Sequence, residues 1–310
     1  MIIVFGSNVL DVFFHTANLP AQDTAMFLDE HDEAAGGKGQ NQAIAAARAG
    51  SNVYFYGAVG KGGHGRQLIE NLQENGINAD GVFISDKPTS LAAIFVNHED
   101  GTHRVVVSKG ANLDAKQDRI EDHFLSSETT LVLQGELSMD ENLKLLRRVK
   151  SVGGRTIMNL APYAPVTEEI LCLLDYIILN EYEADSLGAQ FNIDTKNKMH
   201  FAQAVYEKFN LNCIVTLGGN GSLCVGHGMQ YSIPVLPITP VDTIGAGDAF
   251  TGYFAASLDQ GFSLDIALQR GAIAGSLACT KIGAQAAVPT PQEVADHLEK
   301  ISVDSLSLAA

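Results

Sequence analysis

Between residues 130 and 217 short apolar runs alternate with amphipathic ones, and this rhythm limits the folds open to the chain more than any other feature. The runs at 130–133, 156–159, 176–179 and 213–217 read as buried strands, and 140–152 and 195–209 have helical spacing. Strands alternating with helices predict an α/β fold with a mostly parallel sheet covered on both faces. The N-terminal part fits the same plan: a strand over 1–5, an alanine-rich helix over 41–49 entered through a glycine cluster, a strand over 53–56, and a helix over 66–75 that stops at Gly76. Two apolar helices rich in alanine and glycine, 249–258 and 264–280, close the pattern and are expected to pack tightly in the core.

Two segments break the rhythm. Residues 12–28 hold the clusters Val12-Phe13-Phe14 and Met26-Phe27-Leu28, and residues 91–107 hold Ala93-Ile94-Phe95-Val96 and Val105-Val106-Val107 around a turn-rich stretch at 97–101. They read as hairpin strands of a small β-sheet lid beside the main sheet, or alternatively as extensions of it. Without repeats or a separating linker, residues 1–310 are expected to form a single domain.

Thirty-six acidic against twenty basic residues leave a formal net charge of -16, which argues against nucleic-acid or anionic-membrane partners. No apolar run reaches transmembrane length, and the N-terminus lacks the basic stretch of a signal peptide. Cys172, Cys213, Cys224 and Cys279 are far apart with no C-x-x-C pair, so reduced thiols in a cytoplasmic protein are expected.

The strongest chemical signal is Asp242-Thr243-Ile244-Gly245-Ala246-Gly247-Asp248. A glycine-rich turn opening a helix frees backbone N–H groups to face an anion, and the helix dipole adds to their pull. A carboxylate there repels phosphate unless its task is to take a proton from an attacking hydroxyl, and oriented nucleophile plus charge stabilisation is what phosphoryl transfer asks of a protein. The competing reading of Asp248 is a helix-capping carboxylate on a tight turn.

With Ala249-Phe250-Thr251-Gly252, this motif resembles the C-terminal signature of the ribokinase family of carbohydrate kinases. Gly36-Gly37-Lys38-Gly39-Gln40-Asn41-Gln42 resembles its N-terminal signature, Asn180-Glu181-Tyr182-Glu183 its N-x-x-E motif, and Thr216-Leu217-Gly218-Gly219-Asn220-Gly221 its nucleotide loop. The matches lie in the expected order along nearly the whole chain. The resemblance implies an ATP-dependent kinase acting on a primary hydroxyl of a small sugar, ribose leading, with Asp248 as base and the N–H groups of Gly245, Ala246 and Gly247 as anion hole. It implies sugar contacts from Asp11, Gly37, Asn41 and Glu136, with Lys38 reaching either sugar or phosphate, and an ATP site along Asn180, Thr216, Gly218, Gly219, Gly221 and Gly247. Mg²⁺ would be organised through water by Glu183 with Asn180. A monovalent cation, K⁺, would sit on Asp242 and the carbonyls of Ile244, Ala278, Lys281 and Gly283. A homodimer paired through the lid follows from the same likeness.

Three positions depart from the family pattern. Val9 stands where the type member has an asparagine two residues before the sugar-binding aspartate, Ala287 replaces a serine near the cation site, and Gly60-Lys61-Gly62-Gly63 replaces a stretch that is usually acidic. Rival readings exist. Gly60-Lys61-Gly62-Gly63-His64-Gly65 matches G-x-G-x-x-G, the fingerprint of a dinucleotide-binding oxidoreductase, though no acidic strand end follows at the usual distance. A nucleoside kinase with Phe13, Phe14 and Phe95 as a base slot, and an idle sugar-binding protein on the same fold, are the others. A P-loop kinase is excluded because G-x-x-x-x-G-K-[ST] does not occur.

Overall fold

The computed structural model describes residues 1–16, 18–20, 22–97 and 103–308. In chain order its first half contributes β1 (Ile2–Phe5), β2 (Val9–His15), β3 (Asp32–Gly36), α1 (Lys38–Arg48), β4 (Val53–Gly60), α2 (Gly63–Glu74), β5 (Val82–Ser85), β6 (Leu91–Val96) and β7 (His103–Ser108). The middle adds β8 (Thr130–Gln134), α3 (Met139–Ser151), β9 (Arg155–Asn159), α4 (Glu168–Leu173), β10 (Tyr176–Asn180), α5 (Glu181–Phe191), α6 (Lys198–Phe209) and β11 (Asn212–Thr216). The rest is β12 (Ser222–Gly226), β13 (Met229–Ile233), α7 (Ala246–Asp259), α8 (Leu264–Ala278), α9 (Pro291–Ala295) and β14 (Asp304–Ser307).

Ten strands form the main sheet in the order β14-β13-β12-β11-β10-β9-β8-β1-β4-β5, and from β5 to β11 every pairing is parallel. Alternate residues of β1 show how both faces are filled. Ile2 and Val4 enter one core with Ala43 and Ile44 of α1 and Phe250 and Phe254 of α7, while Ile3 and Phe5 enter the other with Leu145 and Leu146 of α3. The alanine and glycine content of α1 and α7 lets them pack closely: a Cβ on Gly252 would lie 2.7 Å from the Gln42 carbonyl oxygen. The antiparallel edge β12 to β14 was not foreseen. Its β12–β13 hairpin turns on His227 and Gly228, both at positive φ, and brings β13 back beside β12, which itself pairs with β11.

The lid is a separate four-stranded sheet, β3-β2-β6-β7, and not an extension of the main one. Val12, Phe13 and Phe14 lie in β2, and residues 91–96 and 103–108 form the expected strands. The expected turn at 97–101 falls mostly outside the described residues. One expectation changes. Met26-Phe27-Leu28 is not a strand, and Phe27 is 94% exposed. The strand returning beside β2 is the acidic β3, whose ladder with β2 is made by backbone groups and needs no apolar side chains. β6 and β7 pair antiparallel, as expected of hairpin arms, and β6 joins the sheet by a parallel pairing with β2.

Candidate active site

The site lies beyond the carboxyl ends of the parallel strands, where open α/β sheets bind ligands. Strand β1 ends at Phe5, and the chain crosses Ser7 and Asn8 into the lid strand β2. Helix α1 starts against that crossing: Gly39 N–H donates to Ser7 Oγ at 3.3 Å and Gln40 N–H to Ser7 O at 3.1 Å. Gly39 must be glycine, since a Cβ there would lie 2.6 Å from the Gly6 carbonyl carbon. The close approach brings Glu136, just past β8, onto the same turn. Its Oε2 accepts the Lys38 N–H at 2.9 Å and the Ser7 hydroxyl.

Helix α7 enters from the opposite side. Gly245 caps it at φ 78°, a left-handed conformation that suits glycine, and lets the turn face the cleft. Asp248 sits in the first turn, 5% exposed, yet it does not cap the helix. Its Oδ2 accepts Asn41 Nδ2 at 3.0 Å and its Oδ1 accepts Gln42 Nε2 at 2.9 Å. Gln42 Nε2 also reaches Asn159 Oδ1 at 3.0 Å, while Gln42 Oε1 accepts Gln134 Nε2 at 2.9 Å. The carboxylate is thus gripped by one amide on each oxygen, which keeps it oriented and leaves a lone pair on each oxygen for another donor. The capping reading of Asp248 fails on this geometry.

A cleft of about 470 Å³ opens over Asp248. Lys38, Asn180, Glu183, Thr216, Gly218, Gly245, Gly247 and Asp248 line it, together with Asn159, Tyr182 and Thr243. Residues some 210 positions apart in sequence, Lys38 and Asp248, therefore meet in one cleft. Asn41 joins them through Asp248, and Asp11 and Glu136 through the charge they share with it. Burial pushes the Asp11 carboxyl up to about 7, with repulsion from Glu136 and Asp248 adding and Lys38 opposing. Burial raises Glu136 too, against the hydrogen bond from Ser7, and likewise raises Glu183. Lys38 is held above its ordinary value, first by Asp248 and then, against burial, by Glu136, Glu183 and Asp11. One cation among several carboxylates makes a polar, acceptor-rich chamber that suits a neutral polyol better than a sugar already carrying phosphate.

Some expected residues stand differently. Among the described residues Gly219, Gly221 and Ala246 are outside the cleft lining, and the Ala246 N–H turns to Thr243 O at 3.3 Å. Asn180 and Glu183 form a capping box on α5: Asn180 Oδ1 accepts the Glu183 N–H at 2.9 Å, and Glu183 Oε2 accepts the Asn180 N–H at 2.8 Å. The Asn-x-x-Glu spacing is itself a helix-start signal, so α5 was legible there. Asp242 ties two loops, its Oδ1 accepting Ile244 N–H and its Oδ2 Gly283 N–H, both at 2.9 Å. Among the expected cation ligands, Ala278 O accepts Lys281 N–H at 3.5 Å and Gly283 O accepts Ala287 N–H at 3.1 Å. Ser7, Gln42, Gln134 and Asn159 were missed. Gln42, a buried amide in an alanine-rich helix, was the one with a readable signal.

The rival loop at residues 60–65 joins β4 to α2, and its first glycine is packed against its own chain. Gly60 N–H donates to Thr89 Oγ1 at 3.0 Å, and a Cβ at Gly60 would lie 2.5 Å from the Lys87 carbonyl oxygen. Phe14 and Phe95 stack on each other at 5.4 Å, so they do not present an open slot for a nucleobase.

A family profile described as pfkB family carbohydrate kinase matches residues 1–291. Ribokinase of Bacillus subtilis is 31% identical over 299 residues, 96% of this chain and 99% of that protein. The crystal structure of ribokinase from Thermotoga maritima superposes with a TM-score of 0.89 at 31% identity, covering 96% of this chain and 99% of that one. Arabidopsis thaliana ribokinase, solved with ribose and ATP, gives 0.86 at 28% identity, covering 96% and 98%.

Proposed function

The chain belongs to the pfkB family of carbohydrate kinases, and from that premise we propose that it moves the γ-phosphoryl group of ATP onto the primary hydroxyl of ribose. It is an ATP-dependent carbohydrate kinase. The observation that carries the finer reading is the grip of Asn41 and Gln42 on Asp248 in the lining of the cleft. Asp248 takes the hydroxyl proton as the new oxygen–phosphorus bond forms and the bond to the β-phosphate oxygen breaks; ADP leaves and the proton passes to solvent. The N–H groups of Gly245 and Gly247, which line the cleft, stabilise the charge on the transferring group, while that of Ala246 is taken by Thr243 O. Asp11, Gly37, Asn41 and Glu136 hold the sugar hydroxyls, with Lys38 between sugar and phosphate. Thr216 to Gly221 carry the nucleotide beside Asn180.

Glu183 and Asn180 suit Mg²⁺ held through water, since each keeps oxygen acceptors near the cleft and a hard cation retains waters. Bound there, it neutralises triphosphate charge. Asp242 and the carbonyls of Ile244, Ala278, Lys281 and Gly283 form an all-oxygen set suited to K⁺, each carbonyl keeping a second lone pair. The lid pairs two copies into a homodimer, and residues 1–310 act as one cytoplasmic unit. The four unpaired thiols fit that compartment.

Val9 marks where this chain differs. Val9 and Asp11 are alternate residues of β2 and so share one face of the lid, and Val9 is buried. Turnover of ATP with ribose, 2-deoxyribose, fructose, ribose 5-phosphate and adenosine tests the reading. Ribose should be phosphorylated at millimolar concentration, with a Michaelis constant that Val9→Asn lowers. Failure of ribose alongside turnover of another sugar or of adenosine overturns the ribose assignment and leaves the kinase.

A further inference from the structure

Two amides hold Asp248, and an amide is useful to a carboxylate from one side only. Turned by half a rotation, Asn41 presents its carbonyl oxygen to Asp248 and repels it. What decides the direction is the group on the far side of the amide. For Asn41 that group is Gln285, whose Nε2 donates to Asn41 Oδ1 at 2.9 Å. With its oxygen claimed, Asn41 has only its NH₂ to offer Asp248. Gln285 is itself fixed in direction, because its Oε1 accepts Asn71 Nδ2 at 2.8 Å. The loop carrying it is pinned to α1, the helix that carries Asn41. Arg48 of that helix donates through Nη1 to Gln285 O at 2.6 Å and to Val288 O at 3.1 Å, and through Nη2 to Asn75 Oδ1 at 3.1 Å.

We infer that Gln285 is a positioning residue: by fixing the direction of the Asn41 amide it keeps Asp248 aimed and ready to accept a proton. The inference rests on Asp248 being the base. Gln285 touches neither reacting group, so it works wholly through Asn41. The matching arm, Gln134 to Gln42 to Asp248 Oδ1, is separate and stays intact when Gln285 changes. The other charged groups sharing the site, Asp11, Lys38, Glu136 and Glu183, are untouched as well.

The test is a double-mutant cycle in kcat with Gln285→Leu, Asn41→Ala and the pair, beside Asp248→Asn. Gln285→Leu should lower kcat about tenfold or more, the scale of one hydrogen bond to a charged group, with the Michaelis constant for ATP unchanged. The double variant should lie within about twofold of Asn41→Ala alone, since nothing is left for Gln285 to orient. Gln285→Glu has the same size and folds where leucine does not. Its carboxylate draws Asn41 Nδ2 and turns Oδ1 onto Asp248, so kcat should fall below that of Gln285→Leu and the acid limb of kcat/KM should move to higher pH. Multiplying effects in the cycle overturn the inference, as does wild-type kcat in both Gln285 variants while Asp248→Asn is crippled. Near-normal turnover of Asp248→Asn instead removes the base assignment, and the inference with it.

Discussion

Gly36→Ala should separate sugar binding from every other function of the site. Gly36 ends β3, is buried, and faces the Asp11 side chain across the lid. An added methyl carbon would lie 2.5 Å from Asp11 Cγ and 3.0 Å from Oδ1, and would overlap Oδ2. Ordinary contact begins at 3.4 Å, so the carboxyl must retreat by about 1 Å, enough to break a hydrogen bond to a sugar hydroxyl. Hydrogen bonds to charged groups contribute about 1.5–3 kcal/mol, so the Michaelis constant for the sugar should rise roughly tenfold to a hundredfold. Asp248 and the nucleotide cleft lie on other elements, so the constant for ATP should hold. Steady-state ADP release at varied ribose and varied ATP measures both, with a thermal melt to show that the variant is folded. A folded Gly36→Ala protein whose sugar constant stays within twofold of the parent refutes the placement of Asp11 against the sugar.

The raised Asp11 carboxyl makes two further outcomes. The Michaelis constant for the sugar should climb as pH falls below about 7, because protonation removes an acceptor. The folded chain holds this proton up to about 7 and the unfolded chain only to about 3.8, so unfolding free energy from this group falls as pH rises through that window; Asp11→Asn should therefore melt higher than the parent at pH 8, and a lower melt counts against it. At constant ionic strength activity should rise with K⁺ over tetramethylammonium, and a flat response removes the cation site. Val105, Val106 and Val107 expose 47%, 66% and 52% on β7, an edge strand of the lid. Light scattering should give twice the chain mass, Val106→Lys should reduce it, and a single-chain mass at micromolar concentration refutes the dimer.

The main sheet was readable because a parallel strand buried on both faces leaves an uninterrupted apolar run, as at 176–179, and the crossover helices carry their own period. The motifs were readable because glycine turns have few conformations. What stayed hidden follows from the same physics. β3 holds its place by backbone bonds, so its acidic sequence shows no strand pattern, while the apolar cluster 26–28 looked like a strand and lies exposed instead. Asn180 and Glu183 were seen as ligand residues, and the helix they cap was overlooked. Gln285 meets Asn41 across 244 positions, and no local period announces a hydrogen bond between side chains so far apart.

The central claim is that Asp248 is the base of a sugar kinase, and Asp248→Asn measured for both turnover and ATP binding tests it most directly. Asparagine keeps the shape and one acceptor oxygen but cannot take the proton. ATP should bind as in the parent by calorimetry, the melt should be unchanged within a few degrees, and ribose-dependent ADP release should fall by about 10²–10⁴-fold, the range for loss of a general base. Retention of near-parent turnover by a folded, ATP-binding Asp248→Asn protein would contradict it.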